Sequence, residues 1–393
     1  MDFDAIKKLD RKYHMPAYNR FNVAIVSGKG SIAVDVAGRE YVDFSSGIGV
    51  NCLGYADAGW ADAISKQAST LQHISNLYYS PVQVQLAEKL CEKSGFSKVF
   101  FCNSGAEANE CAIKMARKYS FDNYSSERNE IITLVNSFHG RTVTTLAATG
   151  QDEFHQYFFP FTEGFSYVNA QDISALKQAI NDKTCAVMME LIQGEGGVLP
   201  LDTNYVKEVA DVCKDAGLLL IFDEVQTGVG RTGRLYAWEH YKVKPDIITS
   251  AKGLGGGLPF GACMCDDKLG DVLSFGTHGT TYGGNPVACA GSNYVLERIA
   301  NEEFLTSVRE KGEYIRNRLL NMNGVSAVRG MGLMIGADIV GNAREIVSEC
   351  IENGLLILTA KTALRMLPPL NITYEEIDRG LDILNKVLSG EKV

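Results

Sequence analysis

No run of about 20 apolar residues occurs in the 393-residue chain, so nothing in it has the length and apolarity of a bilayer-spanning helix. The first residues, Met1-Asp2-Phe3-Asp4-Ala5-Ile6-Lys7-Lys8, are charged throughout and lack the apolar stretch of a secretory leader. A cytoplasmic location is the expectation. Excess positive charge is missing too: 38 basic against 47 acidic residues leave a net charge of −9, which argues against a nucleic-acid or anionic-membrane partner. Ten cysteines are present (Cys52, Cys91, Cys102, Cys111, Cys185, Cys213, Cys263, Cys265, Cys289, Cys350), yet no C-x-x-C. Most lie in apolar runs, where cysteine behaves as a small buried hydrophobe, and without signs of export no disulfide framework is expected. The six histidines (His14, His73, His139, His155, His240, His278) show no paired ligand spacing, so no metal site is expected. Repeats and low-complexity linkers are absent as well.

What is present is an ordinary globular balance, 46% hydrophobic against 22% charged, with ample material for a core and length for two or three domains. The pattern is mixed α/β. Val99-Phe100-Phe101-Cys102 reads as a strand, and apolar positions Ala108, Cys111, Ala112, Met115, Ala116 and Tyr119 then mark one helix face. Further strands are expected at 131–135, 185–192, 218–222 and 260–264, with a helix over 205–216. The uninterrupted run Cys185–Ile192 suits a strand buried on both faces of a parallel sheet. Such alternation implies a doubly wound sheet over roughly 60–280. Residues 25–43 suggest a small hairpin-forming piece. Helical periodicity resumes after Asn285-Pro286, and a shorter α+β segment containing Met334–Ala337 closes the chain.

Two short β-type runs end in reactive residues. Leu218–Phe222 ends in Asp223-Glu224-Val225-Gln226, and Asp246–Ala251 ends in Lys252, followed at once by glycines. An acid at the end of one strand and a lone lysine at the end of another are what pyridoxal 5′-phosphate chemistry needs. The lysine holds the aldehyde as a Schiff base, and the acid keeps the ring nitrogen protonated. A phosphate needs its own site. Asn103-Ser104-Gly105-Ala106-Glu107 lies between strand and helix, where free N–H groups and the helix dipole face an anion. In isolation it would read as a simple cap. Gly228-Val229-Gly230-Arg231-Thr232-Gly233 matches the dinucleotide pattern G-x-G-x-x-G. It does so poorly, since Asp223–Thr227 separate it from its strand, Arg231–Tyr236 is a weak helix start, and Asp246 precedes its strand.

Together these residues resemble the class III aminotransferases of the fold-type-I pyridoxal phosphate enzymes. The likeness runs nearly end to end, through residues 15–18, 47–51 and 73–79, Asn103–Glu110, Phe138–Thr142, Gln193–Gly197, Asp223–Gly228 and His278–Pro286. It implies a large cofactor domain over 60–285, mostly parallel and doubly wound, with a smaller α+β domain from 1–59 and 286–393. It implies that Lys252 carries the cofactor and shuttles the proton, that Asp223 pairs with the ring nitrogen, and that Gln226 contacts the ring hydroxyl. Glu224 counts with that segment among the cofactor-holding residues. Gly105 and Ala106 would hold the phosphate, Thr281 would reach it from a partner subunit, and Phe138 and Val225 would sandwich the ring. A homodimer with shared sites follows. Without the resemblance, Phe138 and Val225 read as core and Gln226 as a solvated loop residue.

The resemblance also divides two carboxylates between two arginines. Arg141, helped by Thr280, would hold the donor's α-carboxylate. Arg365 would hold that of 2-oxoglutarate, with Glu195 as a gate that masks it while the donor is bound. Within the class, the segments resemble enzymes whose donor is N2-acetylornithine, in a ping-pong reaction yielding N-acetylglutamate 5-semialdehyde and glutamate. Ornithine, succinylornithine, succinyl-diaminopimelate and 4-aminobutyrate are the competing donors. A cofactor-binding amino-acid sensor is the non-enzymatic alternative, but no spare segment is left for a DNA-binding unit. Gly54-Tyr55-Ala56-Asp57-Ala58-Gly59-Trp60 departs from the family's glycine-histidine and nearby proline, close to the pocket mouth.

Overall fold

Residues 1–390 are described by a computed structural model, and a seven-stranded sheet forms its centre. Its strands are β1 (Lys98–Cys102), β2 (Glu130–Leu134), β3 (Phe165–Val168), β4 (Thr184–Met189), β5 (Leu219–Asp223), β6 (Ile247–Ser250) and β7 (Gly261–Cys265). They lie in the order β1-β7-β6-β5-β4-β2-β3. Neighbours are parallel from β6 to β3, whereas β7 runs antiparallel to both β6 and β1. The connection 251–260 has no room for the crossover helix that a parallel β6–β7 pair would need. Every residue of β4, β5, β6 and β7 is buried. That burial on both faces explains their unbroken apolar sequences.

Local chemistry moves several element ends from where periodicity puts them. The apolar run from Cys185 does not continue as one strand to Ile192. It breaks at Glu190, whose carboxylate accepts the N–H of Phe138 (2.9 Å) and of Gly194 (3.2 Å), and Ile192–Gln193 pairs separately with Leu199–Pro200. The helix expected from Tyr205 spans Thr203–Asp215, because the Asp202 side chain caps the N–H groups of Asn204 and Tyr205. β7 begins at Gly261, where a Cβ would lie 2.5 Å from the Ser104 carbonyl oxygen.

The chain ends meet. Ile25–Lys29, Ile32–Asp35 and Glu40–Asp43 form three antiparallel strands, not one hairpin, and Leu355–Leu356 joins the last in parallel. A second four-stranded sheet holds Val325–Met331, Met334–Ile339, Ala363–Met366 and Leu358–Ala360, all antiparallel. One apolar cluster runs from Phe44 through Phe222 to Leu384, so these pieces share a core. The first helix, Phe3–Tyr13, buries none of its residues. Among the described residues no helix is long and apolar enough to cross a membrane.

The strands that end at the site depend on this packing. Ile221, in the middle of β5, is fully buried. Ile221→Ala should cost about 2–5 kcal/mol through lost burial and the cavity left behind. Thermal unfolding of variant and parent checks this, and an unchanged midpoint would contradict it.

Candidate active site

The carboxyl ends of β5 and β6 and the start of the helix Gly105–Asn123 border one cavity of about 490 Å³, an ordinary size for a cofactor site. Asp223 ends β5 and is only 4% exposed. A carboxylate so buried needs donors, and three surround it. Asn109 Nδ2 donates to Oδ2 at 2.7 Å, His139 Nδ1 lies 2.8 Å from the same oxygen, and the Val225 N–H donates to Oδ1 at 3.0 Å. Asn109 is itself fixed, donating to the His139 carbonyl and accepting from Thr249 Oγ1, both at 2.7 Å. The buried His139 Nε2 has no partner.

Lys252 follows β6 with a left-handed φ of 45°, a strained geometry for a side-chain-bearing residue and a pointer to function. Burial lowers its pKa from 10.5 to about 8, although Glu195, Asp223 and Glu190 pull it back up, while Arg365 adds to the lowering. Glu190 also lines the cavity. Burial raises its carboxyl well above the ordinary carboxylate range.

Across the helix start, the Ser104 side chain accepts the Glu107 N–H. The first amides, Gly105 and Ala106, have no intrahelical acceptor and border the cavity. A Cβ on Gly105 would lie 2.6 Å from Val225, and one on Gly140 would lie 2.8 Å from the Ala106 Cβ. Glycine at both positions is what lets these walls close. Phe138 and Arg141 also line the cavity, with the guanidinium over the rings of Phe138 (5.4 Å) and Phe154 (4.0 Å). Arg365 lies on the strand Ala363–Met366, is 3% exposed, and pairs with Glu195 at 2.5 Å. Burial pushes the Glu195 carboxyl up, but the guanidinium pulls it below its usual range. Gln226 Oε1 also faces Arg365, at 3.5 Å.

Most residues singled out from sequence therefore border the cavity or, as with Arg365 and Glu195, lie behind it against Gln226, with two departures. The Glu224 side chain does not reach the cavity. It is fully buried behind it and accepts from Thr227 Oγ1 and from the N–H groups of Ala237 and Trp238, so it caps the next turn instead of holding a cofactor. Thr280 and Thr281 line a separate groove with His73, Asn76 and His278. That groove touches the cavity wall through Asn103, whose Nδ2 donates to Thr280 Oγ1 at 3.3 Å. Asn109, His139 and Glu190 were not singled out. A carboxylate ending an apolar strand run and an asparagine inside an apolar helix stripe were the signals, since buried polar groups demand partners.

The unusual Tyr55 and Trp60 fall beside the site. The Tyr55 hydroxyl donates to Asp43 at 2.7 Å, and Asp43 caps Ser45 and Ser46. Trp60 donates to the Gly255 carbonyl and backs Gly256 and Gly257. Loop 45–51, whose Val50 lines the cavity, and the glycines after Lys252 are thus held by Tyr55, through Asp43, and by Trp60. The donor set fits pyridoxal 5′-phosphate: open amides for an anion, an amine for the aldehyde, and a donor-saturated carboxylate for a protonated ring nitrogen.

Comparison with known proteins agrees. The family model of class-III aminotransferases matches residues 13–388. The acetylornithine aminotransferase of Haemophilus ducreyi is 50% identical, over 99% of this chain and 100% of its own length. That of Methanocaldococcus jannaschii is 49% identical over 98% of both. Among solved structures, N-acetylornithine aminotransferase from Stenotrophomonas maltophilia aligns with a TM-score of 0.85 at 36% identity, over 98% of each chain. Ornithine aminotransferase from Toxoplasma gondii aligns with a TM-score of 0.95 at 32% identity, covering 99% of this chain and 96% of that one.

The depressed Lys252 pKa carries a stability consequence. An unfolded lysine keeps its proton up to its ordinary 10.5, while the folded one releases it near 8. Stability therefore rises with pH across that window, and below it the buried cation is a full penalty. Without cofactor, Lys252→Met should melt higher than the parent at pH 7, by the equivalent of about 3 kcal/mol, with the gap closing toward pH 10. A lower melting point, or a gap independent of pH, would sink the assignment.

Proposed function

The chain belongs to the class III aminotransferases, which use pyridoxal 5′-phosphate, and within that family we propose that it moves the δ-amine of N2-acetylornithine to 2-oxoglutarate. The products would be N-acetylglutamate 5-semialdehyde and glutamate, a step of arginine biosynthesis in the cytoplasm. The observation that carries the substrate is full-length similarity near one half to relatives that bear that activity in their names. The structure supplies a physical account of how two unlike substrates could share one site.

When bound, pyridoxal 5′-phosphate supplies the electron sink through which an amine leaves one carbon and joins another. Gly105 and Ala106 amides would hold its phosphate at the helix start, and Phe138 and Val225 would press on the two ring faces. Asp223 would face the ring nitrogen and Gln226 the ring hydroxyl. Lys252 Nζ would take the proton from the carbon bearing the donor's amine and return it elsewhere. Its lowered pKa keeps neutral amine available near neutral pH.

N2-Acetylornithine reacts at its distal end, so no carboxylate sits beside the reacting carbon. Arg141 would take its remote α-carboxylate, with Thr280 assisting, while Glu195 neutralises Arg365. For 2-oxoglutarate the carboxylate is adjacent, and Glu195 would swing away to free Arg365. A buried cation without a counter-ion is costly, so alternating between Glu195 and a substrate carboxylate keeps Arg365 paired in both halves.

The working unit would be a homodimer, with Thr280 and Thr281 of each chain serving the other's cavity. Supporting this, the two threonines lie outside the Lys252 cavity, and Leu77, Tyr78, Tyr79, Phe275 and Tyr282 stand exposed near their groove, an apolar display typical of interfaces. The first helix likewise buries none of its residues fully. The large domain would be 60–285 and the smaller one 1–59 with 286–393.

Glutamate formation from 2-oxoglutarate, followed with N2-acetylornithine, ornithine, succinyl-diaminopimelate and 4-aminobutyrate in turn, tests the substrate. We expect kcat/KM for N2-acetylornithine to exceed the others by about tenfold or more, with parallel double-reciprocal lines. A higher value for ornithine would move the substrate and leave the mechanism in place.

A further inference from the structure

The turn Gly228-Val229-Gly230-Arg231-Thr232-Gly233 matches a dinucleotide pattern, yet no helix starts at it and it does not border the cavity. Its conformation, with left-handed φ at Val229, Gly230 and Gly233, carries Arg231 into the interior instead. Arg231 is 2% exposed and forms no ion pair among the described residues, although the Asp43 charge lies near enough to favour the cation. Burial lowers its pKa to about 10, so it stays a cation near neutral pH. Nη1 donates to two carbonyl oxygens, Leu333 at 3.0 Å and Pro368 at 2.5 Å, and Nη2 is buried without a partner. The Arg231 carbonyl takes the Leu333 N–H at 3.0 Å. A buried guanidinium whose hydrogen bonds go only to carbonyl oxygens is an expensive way to stabilise a fold.

The two carbonyls bracket Arg365. Leu333 leads into the strand Met334–Ile339, whose Gly336 is paired directly with Arg365. Pro368 lies on the exit from the strand Ala363–Met366, three positions past Arg365. That exit is also tied to the loop beside the cavity, because the Leu367 N–H donates to the Phe44 carbonyl (2.7 Å) and Ser46 Oγ donates to the Leu367 carbonyl (2.6 Å). On the other side Val229 backs Gly253, next to Lys252, where a Cβ would lie 3.4 Å away. Arg231 thus joins the strand that carries Arg365 to the frame that carries Lys252.

We propose that Arg231 is a positioning residue for the amino acceptor: it fixes Arg365 relative to Lys252 and so sets recognition of the keto acid's carboxylate. This rests on Arg365 holding the acceptor, as proposed above. Donor recognition would run through Arg141, which has no contact with Arg231 or its partners among the described hydrogen bonds, while Glu195 covers Arg365. Loss of Arg231 should therefore fall on one half-reaction.

The two half-reactions are measured separately on the cofactor-loaded Arg231→Met and Arg231→Lys proteins, with glutarate as an unreactive dicarboxylate probe. KM for 2-oxoglutarate and Ki for glutarate should rise about 10- to 100-fold in the Met variant and less in the Lys variant, which keeps a donor cation. Rate and affinity for the donor should stay within about twofold in both. Equal losses in the two half-reactions, unchanged acceptor constants, or failure of even the Lys variant to fold would overturn the proposal. Arg365→Gln separates the two readings. If it leaves the acceptor half-reaction intact, the assignment of Arg365 is wrong and this inference falls with it. If it abolishes that half-reaction while Arg231→Met harms both halves alike, only the positioning role fails.

Discussion

Everything at this site is arranged around the Asp223 carboxylate, buried at the end of β5 and kept there by Asn109, His139 and the Val225 amide. Without those donors an ionised acid would be expelled or neutralised. With them it can face a ring nitrogen as an anion. The constraint spreads outward, because each donor must be fixed in turn. Asn109 is oriented by Thr249 of β6 and by the His139 carbonyl, so β6, the helix Gly105–Asn123 and the loop carrying Phe138 are locked to one carboxylate. Lys252 follows that same β6 by two residues, and the parallel pairing of β5 with β6 brings acid and amine to one end of the sheet.

Interior charge is the second theme. Lys252 is pushed toward neutrality, Arg365 borrows a carboxylate from Glu195, and Arg231 is solvated by carbonyl dipoles. These three solutions answer one physical problem, the poor solvation of a cation away from water. They differ in a way that would suit the proposed uses: an amine that gives and takes a proton, an Arg365 partner that can be exchanged, and Arg231 partners that, being backbone, cannot leave.

Much of the fold was readable because its central strands are buried on both faces, and unbroken apolar runs such as Leu219–Phe222 have few other interpretations. Lys252 and Asp223 were readable for the same reason, standing where those runs end. What the sequence concealed follows from partners distant along the chain. Glu224 stands next to Asp223 yet points the other way, since alternate residues at a strand end face opposite sides and the amides of Ala237 and Trp238 wait on that side. Glu190 was hidden inside a run that looked like one strand. Arg231 sat in a glycine pattern whose better-known meaning is different, and only the approach of residues 333 and 368 shows what the turn holds.

The most direct test of the central claim replaces Asp223 by asparagine in the cofactor-loaded protein and follows its visible absorption when N2-acetylornithine is added alone. The account predicts that the cofactor remains bound, through Lys252 and the Gly105 and Ala106 amides, but that the spectral change slows by several hundred-fold or more. A change within about tenfold of the parent rate would contradict it, since the carboxylate's charge would then be irrelevant to the chemistry.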